Sequence, residues 1–423
     1  MTTKIYHAEF WGLRDTKYNR LLECDINSTE WQPISPKSEF YFFVPRDERL
    51  LEHYENFSKI TDIFPVYSVG IVTARDKLTI QWTAKETWTT VVNFSKMDTE
   101  LARMAYKLGK DARDWKVEFA QKDLIDSGLD KSKIIPILYR PFDVRYTYYT
   151  GKSRGFQCMP RKDVMHHMMQ DNMGLHTCRQ ITSLLWNHIL ITNDITDDCY
   201  VSNKTRERGY LFPLYLYPET DKKDLFSHIE TQQKRPNLSQ NLINTLTSSY
   251  GVTPAPEMIF YYIYAVLYAN IYRERYAEFL KTDFPRVPFT GDFELFKELS
   301  GYGEQLAALH LMKSPELDKP VTRFQIAGKN SVDKVLYDKE NERVYISKDQ
   351  YFDSVKIEVW EYHIGGYQVC FKWLKDRKGR KLALDEIKQY CHIITALSVT
   401  IKIQHKIDSL YSNVEKTVLK LPV

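Results

Sequence analysis

The change of pattern at Pro254-Ala255-Pro256 constrains this fold more than any other feature of the sequence. Ahead of it, short runs of β-branched and aromatic residues read as strands. They lie at 40–44, closed by Pro45, in pieces around 68–71 within 63–82, at 134–139, at 144–149, as a pair within 174–192, and at 199–203 with 210–217. Helical spacing interrupts them in part of 4–25, over 100–119 and over 161–170. Past the prolines a helical period dominates, at 257–280, 294–312 and 384–410, and Pro285 follows the first of these. Residues 332–346 read as a hairpin turning on Asp338-Lys339-Glu340-Asn341. Such segregation predicts an α+β fold, with a strand-rich N-terminal half and a more helical C-terminal half. The expected parts are a mixed 1–218, a polar linker or insertion at 219–253, and a helix-rich 254–423 with a β-hairpin.

Length and composition then limit the class. A chain of 423 residues with 43% hydrophobic and 27% charged residues is an ordinary soluble globular protein of two or three domains. The apolar run 258–269 is too short to span a membrane. No apolar segment follows the N-terminal Met, so no signal peptide is expected. The six cysteines are scattered without a C-x-x-C pair, which suits a reduced, cytoplasmic protein. A net charge of +4 does not by itself demand a polyanion. Its distribution is more telling: 12 Lys and Arg face 7 Asp and Glu over 131–208, and 6 face 1 over 372–381, so positive charge is concentrated in two windows.

Within the first window, arginines alternate with aromatics in Tyr139-Arg140-Pro141-Phe142-Asp143-Val144-Arg145-Tyr146-Thr147-Tyr148-Tyr149. Gly151-Lys152-Ser153-Arg154-Gly155 and Arg161-Lys162 follow. Arg presents a planar fork of donors that fits phosphate and the guanine edge, while aromatics offer flat surface to bases or sugars. The competing reading is a strand pair with tyrosine packing. On a strand, positions 145, 147 and 149 share one face, so Arg145 can point outward while the opposite face is core. The base-contact candidates are Arg140, Arg145, Arg154, Arg161, Arg179 and Gln180. Arg140 and Asp143 can instead pair at a corner made by Pro141. The phosphate-contact candidates are Lys152, Lys162, Lys204, Arg206, Arg208, Lys372, Lys375, Arg377 and Lys378. Gly365-Gly366, just ahead of the second window, permits a close backbone approach.

Metal and catalytic chemistry find little support. Cys158, His166, His167, His176 and Cys178 are close in sequence but match no zinc spacing. Gly301-Tyr302-Gly303 sits in a helical pattern, where a phosphate-cradling loop is not expected. Glu386-Ile387-Lys388 also falls on a helix, and no Asn/Asp-Pro-Pro-aromatic tetrad of a base-amino methyltransferase is present. No catalytic residue is assigned.

Several words, spread along the chain, together resemble the C-terminal specificity region of Type ISP restriction-modification enzymes and related adenine-specific DNA methylases. They are Tyr-His-Ala-Glu-Phe-Trp-Gly-Leu-Arg-Asp-Thr-Lys at 6–17, Gly-Ile-Val-Thr-Ala-Arg-Asp at 70–76, and Tyr-Arg-Pro-Phe-Asp-Val-Arg at 139–145. Others lie at 160–166, 264–267, 272–273, 283–288, 359–368 and 372–377. The resemblance implies a non-catalytic module that reads double-stranded DNA. It would present its target to an N6-adenine methyltransferase domain or subunit that binds S-adenosylmethionine through motifs absent from this sequence. The alternatives are a complete or degenerate methyltransferase with divergent motifs, and a protein-interaction scaffold docking through the aromatic helix at 261–276.

Overall fold

The computed structural model describes residues 3–37, 40–218 and 234–420. Packing divides the chain into Met1–Glu52 and His53–Val423. In the smaller unit, a strand at Ile5–His7 pairs antiparallel with Gln32–Ile34, and helix Arg14–Glu23 connects them. Residues 40–44 form no strand. Tyr41 has a left-handed backbone at φ 47, which breaks extension, and Phe40, Tyr41, Phe43 and Val44 are exposed.

Eight strands carry the two principal sheets of the larger unit: β1 (Ser68–Val69), β2 (Ile80–Gln81), β3 (Ile134–Arg140), β4 (Asp143–Tyr148), β5 (Gly174–Cys178), β6 (Ile189–Thr192), β7 (Ile195–Thr196) and β8 (Gly209–Pro213). One sheet has the order β7-β3-β4-β2, the other β1-β8-β5-β6. The β3–β4 hairpin turns at Pro141-Phe142, with Phe142 left-handed at φ 59. In the second sheet Gly209 lies opposite Cys178. The segment leaving β5 and the segment entering β8 therefore emerge at the same end of the sheet, because paired antiparallel strands run in opposite directions.

The longer helices of this unit are α1 (Ala84–Lys96), α2 (Val117–Asp126), α3 (Gln240–Tyr250), α4 (Pro256–Tyr268), α5 (Phe293–His310), α6 (Val369–Asp376) and α7 (Leu384–Val414). α4 is apolar on every side and buried from Tyr262 through Tyr268. It packs on α5 at close range: a Cβ on Gly303 would stand 1.9 Å from the Tyr261 carbonyl oxygen. Gly303 thus belongs to a helix contact, whereas a Cβ on Gly301 would meet open space. The long helix expected at 257–280 is broken at Ala269, which is extended, and Arg273 Nε donates 2.7 Å to the Leu267 carbonyl freed there. The helix expected at 100–119 is broken by left-handed Lys107 and Gly109. The helix at 161–170 is a short α-turn, Lys162–Met165, followed by a 3-10 turn, His166–Met169. No strand forms at 199–203.

The main core takes side chains from Tyr54 through Val414, among them Leu238, Leu242 and Leu246 of the segment expected to be a linker or insertion. Residues 219–233 of that segment lie outside the described ones. The rest is built into the body. Ser239 caps α3, which buries Leu242 and Leu246, and Asn237 bonds Val66 and Pro213. The tyrosines of the aromatic helix, Tyr262, Tyr264, Tyr268, Tyr272 and Tyr276, are buried, so that helix is core and not a docking face.

Candidate nucleic-acid interface

The alternation of arginine and aromatic along β3 and β4 builds an internal stack. Asp143 is buried and accepts from Arg145 Nε and Nη2 at 3.0 and 2.8 Å through one oxygen. Its other oxygen accepts from Arg377 Nη2 at 2.9 Å. Arg377 also bonds Glu386 of α7 at 3.1 Å. Trp82 is sandwiched by three guanidinium groups, at 3.7 Å for Arg145, 4.8 Å for Arg377 and 3.8 Å for Arg380. Arg377 lies 3.4 Å from the Trp373 ring as well. Arg140 is buried on Tyr139 and donates 2.6 Å to buried Asp197. Burial raises the Asp197 carboxyl against the pull of Arg140. The stack fastens the β3–β4 hairpin to α6 and α7.

Three sequence candidates are therefore corrected. Arg140, Arg145 and Arg377 are not groove-facing: each is desolvated and spent on carboxylates within the fold. Arg145 keeps 11% of its side chain exposed, because Trp82 of the strand-to-helix connection covers the face that strand alternation left open. Lys372 is half-buried, held by Asp376 at 2.7 Å and set over Tyr367.

The remaining candidates stay on the surface in two groups of segments. In the turn after β4, Lys152, Arg154 and Lys162 are exposed and Arg161 is half-buried. Arg154 and Arg161 both hold left-handed backbones, at φ 58 and φ 56. Such strain collects where a side chain must be aimed. Arg154 makes an exposed pair with Asp114 at 3.0 Å, and Lys152 one with Asp126 at 3.3 Å.

The second group sits at the shared end of β5 and β8. Arg179 and Gln180 leave β5 exposed, and Arg179 pairs with Asp283 at 2.9 Å. Lys204, Arg206 and Arg208 enter β8 exposed, with Arg206 at φ 74. Between them is a clamp that sequence reasoning missed. Glu207 is buried and accepts from Thr182 N and Oγ1 at 2.6 Å each, Ser183 N at 2.9 Å, Ser183 Oγ at 3.0 Å, Ser202 Oγ at 2.6 Å and His188 Nε2 at 2.9 Å. Burial alone would raise this carboxyl. The bonds from His188, Ser202 and Thr182 outweigh it and hold the group well below the ordinary carboxylate range. Burial lowers the His188 imidazole against the pull of Glu207, and since an ionised carboxylate only accepts, Nε2 carries the proton of their bond. Lys204 Nζ donates 2.9 Å to Ser183 Oγ, joining the two loops directly. The Gly365-Gly366 turn closes on them: a Cβ on Gly365 would lie 1.9 Å from the Val201 carbonyl, and Gly365 N donates to Asn187.

Ile71 and Val72 connect the two groups, bridging to Asp197 and Met159. Lys375 and Lys378 are exposed at the end of α6. Among the described residues Cys158, His166, His167, His176 and Cys178 form no cluster of ligand atoms. The His166 and His167 rings lie 3.7 Å apart, tilted by 46°, and the ligand types that converge are Asp197, Asp198 and Cys199, where Arg140 already pairs with Asp197.

The sequence profile described as the Type ISP C-terminal specificity domain matches residues 62–406. The chain belongs to this family. No curated protein matches the sequence. Among solved structures, similarity extends to a nuclease-deletion mutant of the Type ISP restriction-modification enzyme LlaGI in complex with a DNA substrate mimic, at TM-score 0.68 and 18% identity over 95% of this chain. It extends to a DrdV–DNA complex at TM-score 0.71 and 19% identity over 96%, and to the ATP-dependent Type ISP restriction-modification enzyme LlaBIII bound to DNA at 0.66 and 16% over 89%. The specificity-domain chain spans 33%, 43% and 25% of those longer chains, respectively. The likeness establishes the fold, and the family words read from the sequence are borne out. No helix among the described residues is long and apolar enough to cross a membrane.

Proposed function

We propose that this specificity domain recognises a short sequence in duplex DNA and presents it to an N6-adenine methyltransferase domain that lies outside the chain. S-adenosylmethionine would be bound by that companion domain, and this chain would contribute no catalytic residue. The observation that carries the reading is the pair of cationic loops clamped at one end of a sheet. Lys204, Arg206 and Arg208 would meet phosphates there, joined by Lys152, Lys162, Lys375 and Lys378. Arg154, Arg161, Arg179 and Gln180 would supply base contacts. Arg154 and Arg179 meet half-buried Asp114 and Asp283 with their own side chains at least half exposed, and exposed pairs are worth about 0–1 kcal/mol, so exchange for DNA costs little. That the three solved relatives are described as DNA complexes supports the same reading.

The test is selection of duplexes from a randomised pool, followed by affinity measurements across salt concentrations. Log affinity is expected to fall linearly with log salt. Lys204→Ala should lower the slope by roughly one unit without changing the selected sequence. Arg154→Ala should relax one position of it, worth about 1–3 kcal/mol of discrimination. Salt-independent affinity, or an Arg154 variant that weakens all duplexes alike, argues against these assignments.

A further inference from the structure

The loop leaving β5 carries an unusual arrangement. Ile181 and Trp186 are buried, and Ile181 N donates to the Lys281 carbonyl. Thr182 and Ser183 are bound to Glu207 through both backbone and side chain. Both legs of the loop are thus fixed. Its tip nevertheless holds Leu184 at 86% and Leu185 at 68% exposure. A single exposed leucine needs no explanation. Two adjacent ones, held rigidly outward by a buried carboxylate, are poised to enter something apolar.

What surrounds them identifies the occupant. Ser183, the residue before the pair, accepts from Lys204. Arg206 and Arg208 are exposed on the same tethered loop, and its one acidic residue, Glu207, is buried and consumed by the clamp. An apolar tip tied to a cationic loop fits a polyanion with an apolar interior, which is duplex DNA. We propose that Leu184 and Leu185 form a wedge that enters a base step and partly unstacks it, while Lys204, Arg206 and Arg208 hold the flanking phosphates. Apolar side chains that kink duplexes act in this way, with the loss of stacking offset by the surface they bury. The proposal rests on the DNA-binding reading above and goes beyond it, since phosphate and base-edge contacts need no wedge.

The experiment uses the full chain and duplexes of about thirty base pairs, longer than an ordinary binding footprint, enriched from a randomised pool by the unaltered protein. Affinity is measured over a salt series for that protein, for Leu184→Ala/Leu185→Ala, and for Leu184→Gln, which keeps length but not apolarity. The double variant should bind about tenfold or more weakly at every salt concentration, as expected when two leucines lose a buried environment. Its salt slope should be unchanged, because no phosphate contact is lost. Leu184→Gln should also weaken binding with an unchanged slope. A single mismatch stepped along the enriched duplex should tighten binding by the unaltered protein at one position, where unstacking is already partly done, and not by the double variant.

Unchanged affinity of the double variant overturns the wedge and leaves the pair to a protein partner. A slope that falls together with affinity also overturns it, since the leucines then act only by placing the cationic loop. If the unaltered protein retains no duplex at all, the DNA-binding reading fails and takes the wedge with it. That outcome is distinct from the other two.

Discussion

Replacing Asp143 with Ala should lower unfolding free energy by about 3–5 kcal/mol, the usual cost of removing one member of a buried ionic network. Asp143 neutralises two largely desolvated guanidinium groups, Arg145 and Arg377, and only Arg377 has a second close carboxylate, Glu386. Without it, both remain packed on Trp82 with their charges facing each other. The measurement is denaturant unfolding of the purified chain, with the midpoint and slope compared. Arg145→Ala should likewise appear as lost stability, with the selected DNA sequence unaltered in the protein that stays folded. A fully stable Arg145 variant with changed sequence choice would return that residue to the interface and contradict the internal stack.

Glu207→Ala should be comparably severe and more local, also about 3–5 kcal/mol, because a buried carboxylate is removed from donors that have no other acceptor. The loops 179–187 and 201–208 lose their common tie. Proteolysis should then cut within them, and retention of duplex DNA should collapse even where secondary structure persists. The pH dependence has a definite sign. The folded-state carboxyl lies below its unfolded value. Its contribution is therefore complete above the unfolded value of about 4.3 and is lost as pH falls through the folded one. The unaltered chain should destabilise below pH ~4 in a component that Glu207→Ala lacks. Identical acid limbs in the two proteins, or intact DNA retention by the variant, would remove Glu207 from its role as clamp.

Local rules carried the reading of this sequence far where neighbours along the chain decide the structure. The β3–β4 hairpin, α5 and α7 form on the expected segments with their ends displaced by up to four residues, and the hairpin strands Leu336–Asp338 and Arg343–Tyr345 fall within theirs, because period and turn chemistry are local properties. The same holds for Gly365-Gly366, whose close approach to Val201 needs a missing Cβ that only glycine provides. The family was legible too, as words in order along the chain.

What the tertiary structure alone decided is which charges remain available. In sequence, Arg145 and Arg154 carry the same warrant. Nothing local announces that Trp82 will cover Arg145, or that Arg377 will arrive from more than 200 residues away to share Asp143 with it. Nor does Glu207, one acidic residue in a basic loop, declare that donors from Thr182, Ser183, His188 and Ser202 will surround it. Burial and pairing are properties of the packed chain: a cation reaches phosphate only if the fold leaves it in water, and long-range packing sets that.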